Sequence, residues 1–559
     1  MGFNMTPAQR NAVETRDKSI LLSAAAGSGK TAALTARIIG SLTAADDPAD
    51  LSRMLVVTFT RAAASELRER ISKALGDALA ADPLNEHLLR QSVLIGSADI
   101  CTIDSFCLDL VKAYFQRLTL DGGTPLPPDF RLADETELSA LKLDVMNSVI
   151  DSMYDSCDPS VNFSRFAENF SGTRDEGKFI DILIDYAEDL ENVTSPETYT
   201  DDAAKEYRNS AELDFFDTVY GKRLKTSLSE KLSYFESICA TACRELDDGG
   251  VCAKNYLPAF ASDLDFCRSL KAAVAEGYGK ASAVAGTYAA MGLKSLGKHA
   301  DETTKAYQKL RETYKKELSG MKEKYFCLTP AEISALALRT AEELSVLSAV
   351  ISEYRRRYAK EKILRRILEF SDIKRLAHTL LVKKDGTPTE TALELRQKYD
   401  AVYIDEYQDV DPVQDEIFRA VSKEGCRFSV GDIKQSIYGF RGAEPAVFGS
   451  MRDSMPDFGS PDAEERRECA IYMSENFRCD GPVIDFVNAV SRSTFMLAGG
   501  VVGYRREDDL IHGRSDADSE KVRLSLFCSG AGEATRPEVA YIVSEIAALV
   551  ADGRKDDGT

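Results

Sequence analysis

The stretch SAAAGSGKTA at positions 23–32 follows an apolar run, ILL at 20–22. It nearly fits G-x-x-x-x-G-K-[ST], a loop that aims backbone N–H groups at phosphates with a helix N-terminus behind them. Gly29, Lys30 and Thr31 are in place, and Ala24 stands at the first glycine position. Gly27 and Gly29 supply the tight backbone, and Ala25, Ala26 and Ser28 complete the candidate cradle. Lys30 suits the β- and γ-phosphates of a nucleotide, and the Thr31 hydroxyl suits Mg²⁺. Alanine at position 24 is tolerable if its φ is negative.

A nucleotide site of this kind needs carboxylates, and VYIDEYQDVDPVQ at 402–414 supplies them. Asp405 is the candidate to hold Mg²⁺ through water. Glu406 is the candidate to orient and deprotonate an attacking water. Next comes VGDIKQSIYGFRGAEP at 430–445. Gln435 is placed to sense a γ-phosphate, while Tyr438 and Phe440 could stack on bases beside Arg441. Each such stack is worth about 1–3 kcal/mol and tolerates any sequence. Alone, the two rings would more often be core; next to Gln435 and Arg441 the balance reverses.

The elements that must position these residues are legible as texture. Short β-rich runs end in polar turns at 18–24, 53–60, 99–106, 400–406 and 426–432. Helical patterns lie between several of them, so the sequence predicts a parallel α/β sheet with functional loops at the carboxyl ends of its strands. The middle of the chain reads as helix. Tyr307, Leu310, Tyr314, Leu318, Met321 and Tyr325 recur at spacings of three and four. TPAE at 329–332 is a helix start, and Ile333, Leu336, Leu344, Leu347, Ile351, Tyr354 and Tyr358 continue one face. The basic run at 355–366 reads as the solvated side of that helix rather than as a phosphate site. A helical insertion is expected at 126–394, with its left edge in the turn-rich DGGTPLPPDF at 121–130. It interrupts one α/β domain made of 1–125 and 395–460. A second, incomplete unit is expected over 461–559, with strands at 471–473 and 522–528 and a helix at 537–552.

Bulk numbers narrow the function. The 559 residues carry a net charge of −21, which argues against electrostatic coating of nucleic acid but not against one narrow basic groove. Twelve scattered cysteines and four histidines form no zinc pattern. No apolar run approaches the roughly 20 residues needed to cross a bilayer, and the N-terminus lacks a signal-peptide pattern. A cytoplasmic protein without a membrane partner is expected.

In order along the chain stand SAAAGSGKT, VTFTRAAASELRERI, TIDSFC, DEYQD, VGDIKQSIYGFRGAEP and SENFR. This set resembles superfamily 1 helicases of the UvrD/Rep type. Within that group, SAAAGSGKTA, TIDSFCLD, PDFRLADETE and LEFSDI are most similar to AddA-type helicase-nuclease subunits of bacterial double-strand break repair. The resemblance implies a RecA-like P-loop fold in which an alanine at position 24 is normal. It implies that Gln9 reads adenine, that Phe477 stacks on it, and that Arg478 reaches the γ-phosphate. It places Phe59 and Thr60 at single-stranded DNA, with Tyr438, Phe440 and Arg441. It further implies 3′-to-5′ movement, an AddB-like partner, DNA ends as substrate and a C-terminal nuclease beyond this chain.

Departures accompany the match. Ala32 replaces an arginine that flanks adenine in UvrD-type relatives, although AddA-type proteins resemble this chain there. Asp104 stands where T-x-H-S-F has histidine, and Phe440 where many relatives have tryptophan. No T-x-H-x-x-K-G-L-E or A-L-T-R-A segment occurs, so the chain reads as the N-terminal part of a protein about twice as long. By itself it is expected to bind ATP weakly and not to unwind DNA. The reading is an ATP-dependent DNA helicase and translocase. Its alternatives are a UvrD/Rep-type helicase without nuclease and a nucleotide-dependent DNA-binding module without motor activity. A small-molecule P-loop kinase would have no use for the base-stacking aromatics.

Overall fold

In the computed structural model the described residues are 5–120, 124–155, 162–171, 176–246, 251–294, 302–497, 504–514, 522–523, 525 and 537–551. Six strands form the central sheet: β1 (Ser19–Ala24), β2 (Met54–Thr58), β3 (Asp99–Thr102), β4 (Ala401–Ile404), β5 (Arg427–Gly431) and β6 (Glu468–Met473). Their order is β6-β1-β5-β4-β2-β3, and every neighbouring pair is parallel. A parallel sheet is covered on both faces, so its strands read as continuous apolar runs. Successive residues of β1 accordingly serve opposite cores. Leu21 packs with Phe106, Leu110, Ile417 and Phe448, whereas Ile20 and Leu22 pack with Leu34, Ile38, Leu67 and Ile71.

Three helices begin where the sequence stops them from starting earlier. α1 (Pro7–Glu14) opens with a capping box between Thr6 and Gln9 and proline in its first turn. α2 (Lys30–Leu42) begins directly after the left-handed Gly29. α3 (Arg61–Ala81) is capped by the Thr60 hydroxyl, which accepts from the Ala63 N–H. Each places its N-terminus at the carboxyl edge of the sheet, where such folds bind ligands.

Between β3 and β4 the chain builds two helical cores. One gathers Phe216, Phe235, Tyr256, Phe260, Tyr314, Leu318 and Met321. The other joins Val149, Phe163, Phe179 and Leu183 to the second half of helix Pro330–Arg365. That helix starts at the expected capping box, but Leu336 lies exposed because the first half of the helix leaves that side uncovered. Most of the basic run is paired with carboxylates. Arg355 pairs with Glu191, Arg356 and Arg357 with Glu353, and Lys362 with Glu369 and Asp372.

Two boundaries differ from expectation. Helix Phe370–Leu381, inside the range expected for the insertion, contributes Ile373, Ala377 and Leu380 to the core under the sheet. The strand containing Ile471–Met473, expected in a second α/β unit, is β6, paired along its whole length with β1. Its buried Cys469, Ala470 and Ile471 fill the sheet's edge, and local pattern cannot tell which sheet a strand joins. The strand expected at 522–528 lies mostly outside the described residues, and the helix expected at 537–552 is Pro537–Ala551.

Candidate nucleotide and nucleic-acid site

The loop after β1 holds the shape that phosphate binding needs. Gly27 (φ +72°) and Gly29 (φ +86°) are left-handed, a region that disfavours side chains. Ala24 is the last residue of β1, is buried, and is not among the positive-φ residues. Strand conformation explains why alanine fits there. The Ser28 hydroxyl and N–H both bond to Ala25 O, which closes the turn. Lys30 and Thr31 then open α2.

Gln9 fastens this loop from below. Its Nε2 donates to Ser28 O at 2.9 Å, and its Oε1 accepts the Thr6 N–H at 3.0 Å. Across the loop, the turn at 475–478 is clamped on by hydrogen bonds. Asn476 Nδ2 donates to Ala26 O at 2.7 Å, and the Phe477 N–H donates to Gly27 O at 3.0 Å. Asn476 Oδ1 accepts the N–H groups of Arg478 and Cys479. Arg478 is left exposed next to Gly27, while the Phe477 ring packs on Gly513. The structure thus brings Gln9, Phe477 and Arg478 to the loop. It also adds Asn476, whose only sequence signal was its place inside SENFR.

The carboxylates come from the end of β4. Asp405 is half-buried, and its backbone N–H donates to Val57 O at 2.9 Å. Burial pushes its pKa up to about 6, with the Glu406 charge adding to the rise and Lys30 opposing it. Glu406 has φ +50°, a costly backbone for a residue with a side chain, of the kind concentrated at functional sites. Its Oε2 lies 3.6 Å from Lys30 Nζ, and Lys30 Nζ lies 3.3 Å from Gln435 Oε1. Gln435 Nε2 donates to Asp432 Oδ2 at 2.8 Å. The lysine, the glutamate and the glutamine therefore converge from three loops on one point.

A cavity of about 300 Å³ runs from this point to a second group. Its walls include Thr31, Asp405, Glu406 and Gln435 at one end and Phe59, Thr60 and Tyr438 at the other. Phe59 and Tyr438 have ring centroids 4.3 Å apart, Tyr438 and Phe440 5.8 Å apart. The Arg441 guanidinium lies over both Tyr438 and Phe440 at 5.8 and 5.7 Å. Phe440 is 78% exposed. An exposed aromatic of this size beside a cation is not core, and the pair fits a base-stacking platform. Asp104 sits nearby at the open surface. Desolvation by the surrounding protein raises its pKa, with Asp411 adding and Lys374, Arg61 and Arg441 opposing.

The donor set suits a hard cation. A threonine hydroxyl and a half-buried carboxylate on one cavity wall are the sparse oxygen ligands that Mg²⁺ takes beside substrate phosphates. Among the described residues, no helix is long and apolar enough to cross a membrane.

Residues 5–456 match the family model for the UvrD/REP helicase N-terminal domain. The chain is 32% identical over 523 residues to an ATP-dependent helicase/nuclease subunit from Lachnoclostridium phytofermentans, covering 91% of this chain and 37% of the relative. Proteins of the same description from Clostridium perfringens (32% over 536 residues, 92% of this chain and 40% of the relative) and Clostridium acetobutylicum (32% over 551 residues, 93% and 42%) are similar to it throughout. The chain spans about two-fifths of the length of these relatives.

Proposed function

The chain belongs to the UvrD/REP helicase family, and from that premise we propose that it is the motor region of an ATP-driven DNA helicase and translocase of the AddA-type helicase/nuclease kind. The observation that carries the reading is the cavity that Glu406 and Gln435, both in contact with Lys30, share with Phe59 and Tyr438. A nucleotide change at one end has a physical route to the base-stacking rings at the other.

In this reading ATP sits on the Ala24–Thr31 loop with its γ-phosphate toward Lys30, Gln435 and Arg478. Gln9 and Phe477 flank the adenine. Thr31 and Asp405 hold Mg²⁺, which neutralises phosphate charge when bound. Glu406 takes the proton of the attacking water. Single-stranded DNA lies on Phe59, Thr60, Tyr438, Phe440 and Arg441, and moves 3′ to 5′ as the site closes and opens. Residues 1–125 and 370–460, extended by β6, form the first motor domain. The helices between them form an accessory insertion, and the residues after β6 begin a second motor domain. The similarity to helicase/nuclease subunits supports work on broken DNA ends in recombinational repair, with a C-terminal nuclease and an AddB-like partner, in the cytoplasm.

The test is ATP hydrolysis by the full product of the encoding gene, with and without single-stranded DNA. Stimulation by DNA supports the motor. Equal hydrolysis without DNA sinks it and leaves a nucleotide-dependent binding module.

A further inference from the structure

We propose that Gln408 is the positioning residue that couples the hydrolytic centre to the base-stacking loop. The inference rests on the motor reading above and deepens it. Gln408 is 2% exposed, and its amide is used on both sides. Its Nε2 donates to Glu406 Oε2 at 2.9 Å and to Asp409 Oδ2 at 3.1 Å, while its Oε1 accepts the Asp432 N–H at 2.9 Å.

These bonds close a ring. Lys30 meets Glu406, Glu406 meets Gln408, and Gln408 meets Asp432. Asp432 meets Gln435, and Gln435 returns to Lys30. Two members, Lys30 and Gln435, face the terminal phosphate in the motor reading, and a third, Glu406, faces the water. Gln408 touches no reacting atom but joins the strand-end loops of β4 and β5. Gly431 leaves room for this contact, because a Cβ there would sit 2.5 Å from Gln408 Oε1.

A branch leaves the ring at Gln408. Burial raises the pKa of Asp409, with the neighbouring Ser436 hydroxyl, Gln408 amide and Ile437 N–H opposing the rise and the Glu406 charge adding to it. Its Oδ1 is buried with no hydrogen-bond partner among the described residues. Ile437 and Tyr438 follow at once and line the same cavity as Gln408 and Asp409. A shift of Glu406 toward or away from Lys30 therefore pulls on the Gln408 amide. That amide sets where Asp409 and the root of the aromatic loop can rest. Buried networks transmit such shifts because their alternatives are discrete.

The experiment measures ATP hydrolysis by the full gene product with and without oligothymidylate, for wild type, Gln408→Leu and Gln408→Glu. Coupling free energies between two sites correspond to about 5–150-fold. The expected result is that the DNA-stimulated over basal ratio collapses to about twofold or less in both variants, with kcat falling and KM for ATP little changed. Gln408→Glu is the closer shape but sets a carboxylate against Glu406 and Asp409, so it is expected to be the worse of the two. A wild type without stimulation would sink the motor reading. A stimulated wild type with equally stimulated variants overturns this inference alone, as does a Gln408→Glu variant better coupled than Gln408→Leu. Should Gln408→Leu fail to fold, Gln408→Glu decides by the same ratio.

Discussion

Lys30 Nζ stands 3.6 Å from Glu406 Oε2, so one charge of each sign borders the same point in space. A terminal phosphate needs the first and its attacking water needs the second. Lys30→Ala removes the cation that balances developing phosphate charge, and ATPase is expected to fall about 10²–10³-fold with weakened nucleotide binding. Glu406→Gln keeps the shape and loses the base. Its ATPase is expected to fall about 10²–10⁴-fold while Mg-ATP still binds. Single-turnover hydrolysis beside equilibrium binding separates the two. A Glu406→Gln protein with wild-type turnover would remove the glutamate from the mechanism.

Phe440 is the outermost ring of the Phe59–Tyr438–Phe440 series. Phe440→Ala is expected to weaken single-stranded DNA binding by about 1–3 kcal/mol, one stacked base. Phe440→Trp should retain or improve binding. Phe440 does not line the cavity that Thr31, Glu406 and Gln435 share, so nucleotide affinity should stay within about twofold of wild type. Fluorescence anisotropy with a labelled oligonucleotide reads the loss. Unchanged DNA affinity in Phe440→Ala would move the DNA path off this ladder.

The strands of the first sheet were legible because parallel strands buried on both faces leave continuous apolar runs, as in MLVVT of β2. Lys30, Asp405, Glu406 and Gln435 were legible because each sits inside a motif, in the segment that follows a strand. Gln408 and Asp432 sit inside the same motifs, yet their roles were not. A hydrogen bond that Gln408 Oε1 accepts from a backbone N–H 24 residues away leaves no spacing signal. Asn476 was hidden for the same reason. It acts on Ala26, 450 positions earlier. The placement of β6 beside β1 failed at the level where local pattern stops, since any apolar strand can join any open edge.

Asn476 makes three contacts from one buried amide, to Ala26 O and to the N–H groups of Arg478 and Cys479. Asn476→Ala leaves these groups to find other partners, at a cost of about 1–3 kcal/mol. The turn that carries Arg478 should then come away from the phosphate loop. A lower melting temperature is expected, together with ATPase reduced more than nucleotide binding. Wild-type stability in the variant would show that the clamp is ornamental to the loop.

Glu353 tests whether the basic run at 355–366 is structural. Arg356 and Arg357 hold its carboxylate, and the Arg356 hydrogen bond, aided by Arg357, lowers its pKa from 4.5 to about 2. A depressed carboxylate pKa means stability that is present above 4.5 and lost as pH falls toward about 2. Arg356 is largely exposed, so solvent screening limits the effect to about 1 kcal/mol or less. Glu353→Gln is expected to melt slightly below wild type at neutral pH, and the gap should close below about pH 2. DNA affinity should not change even though Arg356 and Arg357 lose their carboxylate partner, because this reading makes them structural and not part of the DNA path. If Arg356→Ala or Arg357→Ala instead weakened DNA binding while stability held, the run would be part of the DNA path.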